Sequence, residues 1–362
     1  MSLALAAATV TRTSLTDALA LGPEAWDSLL ALSAAAAPFS GWAWHRAWAD
    51  SAAAADVTAS EAFLLNGADG APQAILPVAL RRTRWHRVPV AALTWAVGDA
   101  GCPDHLDVLA QPGADFDALA GAIEALPWQV VMLGNVADPA PNIDALCDAF
   151  AARGHGVRRA PQWACPHLAL PDSWDSYLGS LSATRRQTVR RKERALSRDH
   201  AATLTDYADR VDEGWGHLLR LHEQRWNGAG AFRDPRIESL QLAFARAMAQ
   251  RGQLWLTTLD LEGQPAAAWY GFASHDTVYF YQSGRAPQWE SASTGLVLMG
   301  MMIRRAIERG YKWFDFLRGE DAYKRDWTTT QRLTRQVVVF RAGWRGGWVR
   351  ALDWVAERRR HA

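Results

Sequence analysis

The residues best suited to chemistry stand in one run, Trp313-Phe-Asp-Phe-Leu-Arg-Gly-Glu-Asp-Ala-Tyr-Lys324. Side-chain alternation along a strand would place Asp315 with Trp313 and Leu317, opposite Phe314 and Phe316. A carboxylate in so apolar a strand is costly unless paired. It is either a structural ion pair with Arg318 or Lys324, or a positioned general base or amine anchor. Tyr323 could protonate a leaving group, and Lys324 could stabilise a developing oxyanion. A second cluster, Ser291, Ser293, Thr294 and Gly295, immediately precedes an apolar stretch. Its residues either cap a helix or present N–H groups and a helix dipole to a phosphate. A third lies between residues 185 and 198, where seven basic residues face a single acid, Glu193. Arg186, Arg190 and Arg194 share one helical face there. That face is simply solvated, or it binds a phosphate-bearing substrate, or it neutralises RNA phosphates.

These candidates need strands and helices to carry them. Residues 253–261, 265–273 and 277–283 read as three antiparallel strands, turning at Glu262-Gly263 and His275-Asp276. A loop over 284–294 leads to a helix over 295–309, closed by Gly310. A strand over 313–317, a polar turn or short helix over 318–327 and a strand over 334–341 follow. Upstream, 174–198 reads as one or two helices, followed by helices over 214–226 and 237–251. In the first half, helices are expected after Pro23, around Trp44 and Trp48, and over 114–126 and 142–153. Strands are expected over 61–65, 73–82 and 130–133. Trp42, Trp44 and Trp48 either line an aromatic cleft or, more simply, fill a core. Pro161, Pro166 and Pro171 disfavour helix and mark a crossover between the halves. Strands with interposed helices suit a mixed sheet covered by helices.

Composition narrows the function. The chain has 362 residues, 49% hydrophobic, with 39 basic against 38 acidic side chains. That length suggests two domains, and the near-neutral charge argues against a protein that coats polyanions. Cys102, Cys147 and Cys165 are widely spaced, which excludes a disulfide framework or zinc ribbon and suits a reducing compartment. His217 and His222 are five apart, a poor fit to metal chelation from one helical face, so no metal is expected. No G-x-S-x-G elbow or Walker loop occurs. The N-terminus lacks a positive leading segment and no membrane-spanning run is found, so the expected location is cytoplasmic. The tail, with Trp344, Trp348, Leu352 and Val355 beside several arginines, is read as docking on the domain rather than on a membrane.

The second half resembles the Fem-like, CelD-like branch of the GNAT acyltransferase superfamily. The matching pieces are Cys165-Pro-His-Leu, the Arg-rich helix after Trp174 and Tyr177, Leu221-His-Glu-Gln-Arg-Trp226, Tyr279-Phe-Tyr-Gln-Ser283, Ser293-Thr-Gly295 and Asp315 through Lys324. The resemblance covers 160–340 well, and extends more weakly to 39–48 and 98–107. It implies an α/β (α+β) chain of two GNAT-like units, each a mixed, mostly antiparallel sheet flanked by helices. The units would be 1–160 and 161–362, the second carrying a basic helix over 179–198. It implies an N-acyltransferase moving an acyl group from acyl-CoA, acetyl-CoA above all, to an amine of a small or sugar-linked acceptor in surface-polymer synthesis. The strand ending near Ser283 and the strand over 313–317 would part to admit the acyl thioester. Ser283, Ser293, Thr294 and Gly295 would then bind the donor, with Lys324 as oxyanion stabiliser, Tyr323 as acid and Asp315 as base or amine anchor. Arg186, Arg190, Arg318, Trp226 and Tyr281 are the candidates for acceptor binding. The usual Gln/Arg-x-x-Gly-x-Gly/Ala pyrophosphate loop is absent before Gly295. Some Fem-like relatives take the acyl group from aminoacyl-tRNA instead, and the basic helix would suit that donor. A non-catalytic binding subunit, peripheral to polysaccharide machinery, and an RNA-binding module are the readings from other classes.

Overall fold

Glu262 and Gly263 both adopt positive φ, 51° and 73°, the backbone that a two-residue hairpin turn requires. Such local rules set most of the elements. The tertiary structure, a computed structural model describing residues 9–33, 37–54, 60–319 and 321–361, sorts them into two units. The first contains the described residues up to Trp163 and those from Leu333 onward; the second is Ala164–Arg332.

In the first unit the strands are β1 (Thr9–Ser14), β2 (Ser60–Asn66), β3 (Pro72–Trp85), β4 (Val88–Trp95), β5 (Leu109–Ala110) and β6 (Val130–Ala137). The helices are α1 (Leu15–Leu19), α2 (Gly22–Leu32), α3 (Trp42–Ala49), α4 (Phe116–Glu124) and α5 (Pro141–Ala152). The sheet runs β1-β2-β3-β4-β6, antiparallel except for the parallel β4–β6 pair, with β5 beside β3. Trp44 and Trp48 are fully buried, and the Trp42 indole donates to the Leu19 carbonyl at 2.9 Å. Trp44 and Trp48 are core, Trp44 also bordering a small pocket with Phe39, His45 and Trp95, and Trp42 is half-buried. The chain does cross between the units within the expected 161–171 region, at Trp163/Ala164, and does so along the strand β7 (Gly156–Ala169). Proline forbids helix there but tolerates extended backbone.

The second unit contains α6 (Trp174–Ser180), α7 (Ala183–Asp199), β8 (Ala202–Asp206), α8 (Val211–Trp226), α9 (Pro235–Gln250), β9 (Leu254–Leu261), β10 (Gln264–Ser274), β11 (Thr277–Arg285), α10 (Thr294–Glu308), β12 (Trp313–Asp315) and α11 (Ala322–Arg325). Ser182 accepts the Arg185 N–H and starts α7, so the basic helix begins at 183 rather than 179. Strands β8 to β11 form an antiparallel meander; β12 joins β11 in parallel and β7 antiparallel. Phe280, Phe314 and Phe316 pack with Trp269, Met302 and Ile303 of α10 in the core.

The last elements, β13 (Gln331–Phe340) and α12 (Trp344–His361), differ from the expected partition. Residues from 333 onward belong to the first unit, because Val337–Phe340 pair antiparallel with Val130–Leu133 of β6. Val349 of α12 is buried with Trp85, Val90 and Phe340, and Asp353 pairs with Arg158 at 2.9 Å. Among the described residues no helix is long and apolar enough to cross a membrane.

Candidate active site

The site begins where two strands stop matching. β11 and β12 pair over only Thr277↔Trp313, Val278↔Phe314 and Tyr279↔Asp315. β12 ends there, short of the expected Leu317, because Leu317 turns to φ 55°. The Asp315 carboxylate accepts the Leu317 N–H at 2.7 Å, and the Phe316 N–H bonds the Pro166 carbonyl at 2.9 Å. β11 continues from Phe280 to Arg285, still paired with β10 but with no β12 partner. A bulge at Tyr270/Gly271 leaves Tyr281 outside the β10 register. On β11, Gly284 lets the α8 backbone lie directly against the strand. A Cβ there would stand 2.3 Å from the His222 nitrogen and 2.4 Å from the Leu221 carbonyl carbon.

A cavity of about 260 Å³ opens beside this stretch. Its apolar wall is Trp269, Leu296, Leu298, Met299 and Trp327; its polar groups are Ser283, Tyr323, Arg185, Arg225, Arg285 and Asp326. Gly295, in the first turn of α10, also faces it. The Ser283 hydroxyl accepts a hydrogen bond from Arg225 Nη1. The Arg225 guanidinium lies over the Tyr323 ring, 5.3 Å from its centroid, and Arg185 lies 4.5 Å over Trp327 while pairing with Asp326 at 3.2 Å. Burial pushes the Tyr323 phenol up to about 12, with Arg225 partly opposing the shift. The phenol is therefore protonated and able to donate across the physiological range.

Of the residues expected to act, Ser283, Gly295 and Tyr323 line this cavity together. The others lie elsewhere. Ser293 sits at the α10 N-terminus with φ 55° and makes no side-chain cap, which removes ordinary capping as its role. Thr294 is buried. Asp315 is buried at the strand end, where its contact with Leu317 holds the turn. Arg186 donates to the Gly179 carbonyl at 3.1 Å near the end of α6, and the exposed Arg190 pairs with Asp175. Tyr281 packs against Tyr270 and Phe272, and Trp226 stacks under Arg225 at 4.8 Å. Arg318 contributes its carbonyl to Lys324.

Lys324 is buried, and its Nζ donates to the Arg318 carbonyl at 2.7 Å and the Leu317 carbonyl at 3.4 Å. It ties α11, which carries Tyr323, to the turn after β12. Charged hydrogen bonds of this kind contribute about 1.5–3 kcal/mol each. Lys324→Ala should therefore lower stability by about 2 kcal/mol in denaturant titration and reduce turnover of the folded fraction. An unchanged denaturation midpoint would remove the latch.

The sequence reading passed over Arg185, Arg225 and Arg285. A signal existed for two of them. Leu218, Leu221 and His222 form the buried face of α8, and Arg225 continues it by helical spacing. Val189 and Leu196 are the buried residues of α7, and Arg185 lies one turn before Val189. The conspicuous 186–190–194 row is another face.

His222 lies behind Arg225, buried to 2% exposure, and both burial and the Arg225 charge hold its imidazole down at about 4. A folded-state value below the unfolded one makes a group destabilising as pH falls. The unfolded imidazole protonates from its ordinary 6.5 downward while the folded one stays neutral to about 4. Melting temperature should fall across that window, and His222→Gln should flatten the fall. An unchanged pH slope in the variant would contradict this assignment.

Residues 183–325 match the family model described as Acetyltransferase (GNAT) domain. This segment holds the cavity residues from Arg185 to Tyr323; Asp326 and Trp327 follow just beyond it. No curated protein matches the chain. Among solved structures, FemX is similar at 11% identity and TM-score 0.58, over 87% of this chain and 95% of that one. The structure of L-PGS from Bacillus licheniformis is similar at 11% identity and TM-score 0.55, over 89% and 93%. A conserved protein of unknown function from Bacteroides thetaiotaomicron VPI-5482 is similar at 12% identity and TM-score 0.58, over 88% and 98%. The matched segment lies within the second unit and is similar to an acetyltransferase (GNAT) domain. Over most of its length the chain shares its fold with FemX, in line with the Fem-like resemblance of its sequence.

Proposed function

We propose that the protein is an N-acyltransferase that moves an acyl group, acetyl in the first instance, from a coenzyme A thioester to an amine. The acceptor is a small or sugar-linked amine of the kind built into surface polysaccharide. The observation that carries this reading is the early end of β12, which leaves β11 from Phe280 to Arg285 paired with β10 on one side and without a β12 partner on the other, beside a cavity. Unpaired strand backbone can hydrogen-bond an extended pantetheine arm. Gly295 and Arg285 adjoin at one side of the cavity, with 3.8 Å between the Arg285 Cδ and a Cβ built on Gly295, and would meet the donor's phosphates.

The neutral amine attacks the thioester carbonyl, forming a C–N bond as the C–S bond breaks. Tyr323 gives its proton to the departing sulfur, and the amine's surplus proton passes through solvent to restore the phenol. Lys324 acts as a positioning residue by holding α11. Turnover should rise with pH as the amine deprotonates, and the phenol, held near 12, imposes no falling limb at neutral pH. A rate independent of pH across the amine's titration would contradict rate-limiting attack by the neutral amine.

The deciding experiment measures thiol release from a panel of acyl-CoAs and amines, with mass spectrometry of the product. Absence of release with every pair would overturn the reading. A second donor is supported by the exposed arginines Arg191 and Arg194 of α7, which would suit the phosphates of an aminoacyl-tRNA. Consumption of charged tRNA without thiol release identifies that case.

A further inference from the structure

The three arginines of the cavity differ in how their charge is met. Arg185 pairs with Asp326 at 3.2 Å, and Arg285 lies 3.6 Å from Glu290. Arg225 has no carboxylate partner among the described residues. Its contacts are the Ser283 hydroxyl, the Ser283 carbonyl at 3.5 Å, the Tyr323 phenol, and the rings of Trp226 and Tyr323 at 4.8 and 5.3 Å. It is held between two aromatic faces and fixed to the unpaired stretch of β11. Little rotamer freedom is left to lose on binding, and its charge is uncompensated.

We infer that the substrate carries a carboxylate close to the reacting carbonyl, and that Arg225 is the residue that selects it. The inference rests on the transfer reading above, which places the reacting carbonyl beside Ser283 and Tyr323. A planar guanidinium matches a carboxylate with paired N–H donors, a geometry that a lysine cannot supply. The surroundings favour a small anion. The cavity is only about 260 Å³ and is walled by Trp269 and Trp327, while Gly295 and Arg285 offer the separate phosphate position. Buried Tyr323 keeps its proton and so supplies no negative charge to Arg225. The selective role assigned from sequence to Arg186, Arg190 and Arg318 passes to a residue that faces the cavity.

The carboxylate can belong to either reactant. On the acceptor it makes the amine amino-acid-like; on the donor it makes the acyl chain that of a dicarboxylic acid. Two matched comparisons separate these. Succinyl-CoA against butyryl-CoA tests the donor, and glutamate and alanine against their α-amides test the acceptor. Dissociation constants by calorimetry are measured for each, together with kcat/KM wherever turnover occurs.

The wild-type protein should favour the carboxylate member of one comparison by tens-fold or more, as expected for a charge-assisted bidentate pair. Arg225→Gln should bring that ratio near one, and Arg225→Lys should restore only part of it. Circular dichroism and melting establish that each variant is folded. A wild-type ratio near one in both comparisons would overturn the inference, as would a ratio that survives Arg225→Gln. Carboxylate selection by dissociation constant, in a protein that releases thiol from no thioester, would refute the transfer reading while leaving Arg225 as the anion-selecting residue.

Discussion

Tyr323→Phe should lower kcat by roughly 10²-fold or more, the range lost with a general acid, while the dissociation constant of the donor changes little. The hydroxyl is the only group removed; the ring remains against Arg225 and Phe280. The thiolate leaving from a thioester needs a proton source at the cavity, and the phenol, pushed up to about 12 by burial, keeps its proton until the sulfur takes it. Single-turnover kinetics with a bound thioester isolate the chemical step from product release. Loss confined to KM would make Tyr323 a binding residue, and an unchanged kcat would eliminate it as the acid.

Gly284→Val should have the largest structural effect. Its Cβ alone would collide with the α8 backbone at Leu221 and His222, which no rotamer change relieves. Overpacking typically costs about 1–3 kcal/mol, and backbone against backbone belongs at the top of that range. Either the unit unfolds at lower denaturant, or α8 moves away from β11 and takes Arg225 from Ser283. Both outcomes abolish donor binding, and the melt distinguishes them. A variant that melts and binds like the wild type would show that the close approach of strand and helix is dispensable.

Much of the second unit was legible along the chain. The hairpin at Glu262-Gly263 and the stop of α10 at Gly310 depend on turn and cap chemistry within a few residues, whereas the start of α10 at Ser293 carries no side-chain cap. Phe314 and Phe316 entered the core as expected, but the alternation held only within β12, since Phe316 and Leu317 lie beyond its end and Asp315 is buried as well. The partition of the chain was less legible, because β13 finds its partner in β6, some two hundred residues earlier. Periodicity says that a strand buries a face and is silent about which strand it joins. The same limit applies to the arginines: the charged row 186–190–194 is conspicuous by spacing, yet Arg185 and Arg225 face the cavity.

By itself, the order of residues determined most helices, the strands and turns from residue 253 to β12 and the motif linking Asp315 to Lys324, because those depend on neighbours a few bonds away, while β1, β4, β7 and β8 went unread. Only the tertiary structure decided where β12 leaves β11, and therefore which side chains share a cavity. It turned Asp315 and Lys324 into braces for a turn and brought Arg225, Ser283 and Tyr323 together from three separate elements. The physical reason is that a buried polar group is satisfied by whatever the fold places beside it, and for these residues that partner is distant in sequence or belongs to a strand that ends early.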